Sequence, residues 1–103
     1  MSVIKGTEEN FESLVKEKFT VVDFFATWCG PCKMLGPVLE EVASERTEMQ
    51  VVKIDVDENP NLAKTYGIMS VPTILLFQNG EVISKKSGFM PKELLEEWIE
   101  ENQ

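Results

Sequence analysis

Two stretches of the chain are apolar almost without a break: 19–26 (FTVVDFFA) and 49–56 (MQVVKIDV). Runs this short, rich in β-branched and aromatic residues, are the pattern of central strands covered on both faces. Ser2, Val3 and Ile4 form a shorter apolar piece that suits an edge strand. Elsewhere the apolar residues recur at helical spacing. Thr7 opens a first helix, with Asn10 as an alternative cap, and Phe11, Leu14 and Val15 supply its stripe. Met34, Leu35, Val38, Leu39, Val42 and Ala43 mark a longer one, interrupted by Gly36-Pro37. A proline there removes the bond to the Lys33 carbonyl, which predicts one kinked helix in place of two. Leu62, Ala63 and Tyr66 lie on a short helix between Asn59-Pro60 and Gly67. Val71-Pro72 leads into a strand from Thr73 to Phe77, and Asn79-Gly80 is a hairpin signal before a strand from Glu81 to Lys86. Gly88 breaks the pattern, and Pro91 starts a last helix with Leu94, Leu95, Trp98 and Ile99 on one face.

Strands alternate with helices until the closing hairpin. Alternation requires right-handed crossovers and a parallel portion, and the hairpin requires an antiparallel one. The expected fold class is therefore α/β: a mixed five-stranded sheet flanked by four helices on both faces. No repeat, linker or low-complexity stretch divides residues 1–103, so one domain is expected.

Composition narrows the chemistry. The chain is 43% hydrophobic and 27% charged, ordinary values for a soluble globular protein. A net charge of −8 offers no basic face for nucleic acid. No apolar run approaches membrane-spanning length, and residues 1–6 lack the apolar core of a signal peptide. A cytoplasmic, monomeric protein is expected, with no bound cofactor. Two cysteines and no histidine fall short of a tetrahedral zinc site, so no metal is expected.

Both cysteines stand in Trp28-Cys29-Gly30-Pro31-Cys32-Lys33, where the first buried strand meets the long helix. On a helical turn their Cα atoms would lie roughly 5–5.5 Å apart, inside the disulfide window. So small a loop removes little unfolded-state entropy, which disfavours a purely structural staple. The helix start aims free N–H groups and the positive dipole end at Cys29, favouring its thiolate. Reversible dithiol/disulfide exchange is the chemistry this spacing suits. Cys29 is the candidate nucleophile, and Cys32, one turn inside the helix and expected to be less exposed, the candidate resolving thiol.

Asp23 interrupts the first apolar strand. If both faces are covered it is buried, desolvation raises its pKa, and it can relay a proton to or from Cys32 through a water. The alternative is a carboxylate held structurally by backbone hydrogen bonds. Lys53, placed similarly in the second strand, either approaches Asp23 and opposes that rise or snorkels to the surface. Trp28 either shields Cys29 or packs in the core. Pro72, at the first strand position, is unremarkable there, and trans is its commoner isomer.

The chain resembles the thioredoxin family end to end. The segments that carry the likeness are VVDFFATWCGPCK, the lysine of VVKIDVD, YGIMSVPT, the FQNG turn and Gly88. The resemblance implies a sheet with its first, third and second strands parallel and its last two antiparallel. It implies general protein-disulfide reduction through a Cys29–Cys32 disulfide, with Gly30 and Pro31 tuning it toward reduction. It implies a cis Val71-Pro72 bond and a substrate rim including Trp28, Gly30, Pro31, Val71, Pro72, Gly88 and Phe89. The implied partners are disulfide-containing proteins and a thioredoxin reductase that passes on electrons from NADPH. Phe25 stands where many members have tryptophan, and Met69 where many carry a basic residue.

Overall fold

The computed structural model describes residues 3–103, so Ser2 of the expected first strand lies outside the described residues. Five strands form one sheet: β1 (Val3–Lys5), β2 (Thr20–Phe25), β3 (Gln50–Asp55), β4 (Thr73–Gln78) and β5 (Glu81–Ser87). Four helices accompany them: α1 (Phe11–Glu17), α2 (Gly30–Glu45), α3 (Pro60–Thr65) and α4 (Lys92–Asn102). The strand order is β1-β3-β2-β4-β5. β3 pairs in parallel with β1 and β2, and β4 pairs antiparallel with β2 and β5. This is the mixed sheet expected.

The near-continuous apolar runs have the two-sided role their composition requires. Val21, Val51, Ile74 and Leu76 face α2 and α4, against Leu35, Leu39, Val42, Leu95, Trp98 and Ile99. The alternate residues Val22, Phe24, Val52, Ile54, Leu75 and Phe77 face α1 and α3, against Phe11, Val15 and the half-buried Tyr66. Burying a Leu, Ile or Phe in this way contributes about 1.5–3 kcal/mol. A charged residue in the same row forgoes that gain. Asp23 is such a residue, fully buried in β2.

Local details differ from expectation in instructive ways. The regular part of α1 begins at Phe11, not at Thr7. Thr7 and Asn10 still cap each other: the Thr7 N–H donates to Asn10 Oδ1 at 2.7 Å, and the Asn10 N–H to Thr7 Oγ1 at 3.2 Å. This reciprocal arrangement satisfies two free donors ahead of the helix. α2 runs unbroken through Pro37. Asn79 and Gly80 both adopt positive φ, 56° and 83°, the conformation a two-residue hairpin turn of this type demands. The charged last helix is tied to α2. Arg46 bonds Glu96 and Glu100, and Lys92 bonds Glu41 and Glu45.

Candidate active site

The polypeptide leaves β2 at Phe25 and enters α2 at Gly30, and the cysteine motif fills the junction. Cys29 has extended backbone angles and sits at the N-cap. Pro31 falls in the first turn, where its missing N–H leaves no helical bond unmade. The two sulfurs are joined in a disulfide with Cα atoms 5.3 Å apart, inside the separation that helical spacing predicts. The Cys32 N–H donates to Cys29 Sγ at 3.2 Å, while the Lys33 N–H is taken by the Cys29 carbonyl at 3.3 Å. A helix-start amide thus points at one sulfur.

Exposure does not distinguish the two cysteines. Each is 4% exposed, which corrects the expectation that Cys32 is the more hidden. Their surroundings distinguish them instead. Cys29 Sγ lies 3.7 Å from the Val71 carbonyl, against the loop that enters β4. Cys32 lines a cleft of about 310 Å³ with Phe25, Lys33, Gly36 and Lys53, which Val71 does not enter.

The Val71–Pro72 bond is cis, as the resemblance implies. The Pro72 carbonyl accepts from the Gly88 N–H at 2.8 Å, so the loop is braced by the end of β5. Gly88 has φ 94°, a value that disfavours any side chain. Pro72 itself is buried, whereas Gly30, Pro31 and Phe89 are exposed.

Trp28 is 69% exposed, which decides against the core reading. It lines a groove of about 180 Å³ with Val56, Ile68, Met69, Ser70 and Val71. Met69, where many family members carry a basic residue, is 96% exposed. The groove beside Cys29 is therefore apolar on both walls. One contributor was not legible beforehand. The Trp28 Nε1–H donates to Asp57 Oδ2 at 3.0 Å, fixing an otherwise free indole. Asp57 belongs to a turn whose own residues gave no sign of reaching across 29 positions. An exposed hydrogen bond of this kind contributes on the order of 0.5–1.5 kcal/mol. Asp57→Ala should accordingly raise KM for protein substrates by about two- to tenfold and leave kcat nearly unchanged. Steady-state kinetics, with indole fluorescence to report Trp28 mobility, checks this.

In β2, the strand that leads to the pair, Asp23 is the exception among the buried polar side chains described. Thr20, Gln50, Asn59 and Thr73 all make hydrogen bonds. Both carboxyl oxygens of Asp23 are buried with none. This overturns the reading of a carboxylate satisfied by backbone donors. Desolvation raises its pKa from 3.8 to about 6, the positive charge of Lys53 opposing the rise. Lys53 is the direct register neighbour of Asp23 across β2 and β3. It is half-buried, and its Nζ lies 4.5 Å from the centroid of the Phe25 ring. The structure thus brings Lys53 and Cys32 to one cleft, with Asp23 buried beside Lys53 in the sheet, and Trp28, Val71 and Met69 to a separate groove.

Among the described residues no three metal-ligating side chains cluster, and no helix is long and apolar enough to cross a membrane. A disulfide at a helix start, beside an exposed apolar groove and following a strand that buries an acid, defines a dithiol/disulfide exchange protein. Residues 2–101 match the family model for thioredoxin. The chain is 47% identical to the thioredoxin of Staphylococcus saprophyticus over 103 residues, covering 99% of each. It is 46% identical to that of Staphylococcus aureus over the same length, again covering 99% of each. Among solved structures, a mutant thioredoxin from Halobacterium salinarum NRC-1 superposes with a TM-score of 0.91 at 38% identity, over 97% of this chain and 89% of that one. The chain belongs to the thioredoxin family. It is a protein-disulfide oxidoreductase acting as a disulfide reductase.

Proposed function

We propose that residues 1–103 act as one unit in the cytoplasm, as a monomeric general reductant of protein disulfides, recharged by a thioredoxin reductase with electrons from NADPH and holding no cofactor of its own. The observation that supports this assignment of roles is the placement of Cys29 Sγ 3.7 Å from the Val71 carbonyl, beside the apolar groove under Trp28. An extended substrate pairing with the Val71 backbone in β fashion brings its own disulfide against that sulfur. Gly88 and Phe89 complete the rim, with the buried Pro72 behind Val71, and Gly30-Pro31 sets the turn between the cysteines.

The reaction follows from these placements. The Cys29 thiolate attacks one substrate sulfur, the substrate S–S bond breaks, and the first substrate thiolate leaves. Cys32 then passes its proton through a water to Asp23, whose carboxylate is available at neutral pH, and attacks the sulfur of Cys29. The mixed disulfide breaks, the second substrate thiolate leaves, and Cys29–Cys32 is oxidised by two electrons. Lys53 modulates the proton affinity of Asp23.

Cys32→Ser removes the second step alone. Incubated with a disulfide-containing protein, this variant should accumulate a covalent adduct through Cys29, seen by non-reducing electrophoresis and released by dithiothreitol. The parent chain, supplied with NADPH and a thioredoxin reductase, should consume NADPH in proportion to disulfide reduced. Absence of the adduct refutes the assigned order of attack. Absence of NADPH consumption refutes the route of recharging.

A further inference from the structure

Lys53 and Phe25 together form the wall between two clefts. On one side lies the cleft lined by Cys32, Lys33 and Gly36. On the other is a cleft of about 380 Å³ along β1, lined by Val3, Ile4, Lys5, Asp55 and Glu58. The Lys53 amine has a carboxylate to attract it in either direction. Asp23 lies inward, buried and without a donor, and Asp55 and Glu58 lie outward at the surface. The amine takes neither as a hydrogen-bonding partner of Asp23 nor as an ion-pair partner of the outer acids. It lies over the Phe25 ring on the α2 side, where a Cβ on Gly36 would stand 3.7 Å from Nζ.

Elementary electrostatics explains why a ring is needed there. Direct pairing with Asp23 would strip the ammonium of its water in a site that offers no further acceptors, and desolvation of that kind outweighs much of the attraction. Without a hold, a flexible lysine relaxes outward to water and to surface carboxylates. An aromatic face holds an ammonium through its quadrupole and leaves the far side of the amine hydrated.

We propose that Phe25 is a positioning residue, its ring holding the Lys53 ammonium on the Asp23 side of the sheet and so fixing the field in which that acid works. Its relevance to catalysis rests on the role of Asp23 given above, but its test does not, because the titration of Asp23 is read in the oxidised protein without turnover. The charged groups that bear on Asp23 are few. β3 supplies Lys53, α2 supplies Lys33 at the mouth of the cleft, and β4 presents Ile74 in register. α4 turns Leu95, Trp98 and Ile99 inward. Cys29 and Cys32 are bonded and do not titrate. Lys5, Asp55 and Glu58 lie across the wall.

The experiment follows the Asp23 carboxyl carbon by NMR against pH in four chains: parent, Phe25→Leu, Lys53→Met and the double variant. Phe25→Leu should move the Asp23 midpoint upward by about half a pH unit, as expected when a unit charge a few ångströms away withdraws by a few more. Lys53→Met should move it upward at least as far, and adding Phe25→Leu to Lys53→Met should move it no further. Phe25→Trp, which keeps an aromatic face, should restore the parent midpoint. In the parent chain itself the Lys53 Cε protons should resonate upfield through the ring current. An unchanged or lowered midpoint in Phe25→Leu, a further shift of the same size in the Lys53→Met background, or random-coil shifts for the Lys53 Cε protons would each overturn the proposal.

Discussion

Serine in place of Cys29 should reduce turnover of protein disulfides at least roughly a thousandfold, because the nucleophile is lost outright. A serine hydroxyl does not ionise at neutral pH, and the single Cys32 N–H that meets the sulfur at 3.2 Å cannot make it do so. The fold should survive, since residue 29 is the N-cap of α2 and serine is among the best N-cap residues. Loss of the short Cys29–Cys32 loop removes about 2 kcal/mol of unfolded-state restraint on the chain-entropy relation. The fair stability reference is therefore the reduced parent chain, which lacks the same bond. Reduction of insulin driven by dithiothreitol measures the turnover, and circular dichroism checks the fold. Turnover preserved in the serine variant would transfer the first attack to another group and undo the assignment of Cys29.

Asp23→Asn should make the protein more stable at neutral pH, by roughly 3 kcal/mol at most. Burial without donors raises the folded-state pKa of Asp23 from 3.8 to about 6. Between those two values the folded chain holds a proton that the unfolded chain has released. The folded state therefore binds more protons, and the contribution of this group to stability falls as pH rises through that window. Above about pH 6 the full cost of a buried carboxylate is present, and below 3.8 it has vanished. Asparagine cannot ionise, so the advantage of the variant should be greatest near pH 7–8 and shrink toward pH 4. The buried amide, itself without partners, subtracts part of the gain. Urea unfolding of both oxidised chains across this range measures the difference, in which the other carboxylates cancel. A difference independent of pH would mean that Asp23 meets its charge with partners this geometry lacks. Such a cost is of the kind that proteins commonly trade against activity.

The strands and helices were legible because each is written in its own period. Phe19 to Ala26 could only be a strand covered on both sides, and Leu35, Leu39 and Val42 could only be one face of a helix. The cysteine pair was legible for the same local reason: three residues of helix carry one Cα to within bonding range of the other, whatever surrounds them. Thr7 shows the limit of that approach. Its side chain does accept an N–H ahead of the helix, but the N-cap is the alternative, Asn10, and the regular helix begins at Phe11.

Asp57 shows a deeper limit. Its bond to Trp28 joins two loops at the ends of different strands, and no periodicity links residues 28 and 57. Trp28 illustrates the same point from the other side. An indole beside a cysteine suits core and rim equally, and only the placement of the β3–α3 turn holds it outside.

Sequence by itself determined the mixed sheet, the helix-start cysteine pair and the presence of an acid inside an apolar strand, since all three depend on neighbours within a turn or a pleat. Tertiary structure alone decided that Asp23 has no donor, that Lys53 rests on Phe25, and that Cys29 meets the Val71 carbonyl while Cys32 lines a cleft. Those facts depend on which side chains from separate strands and helices share a space, and burial, field and access arise only once the sheet is assembled.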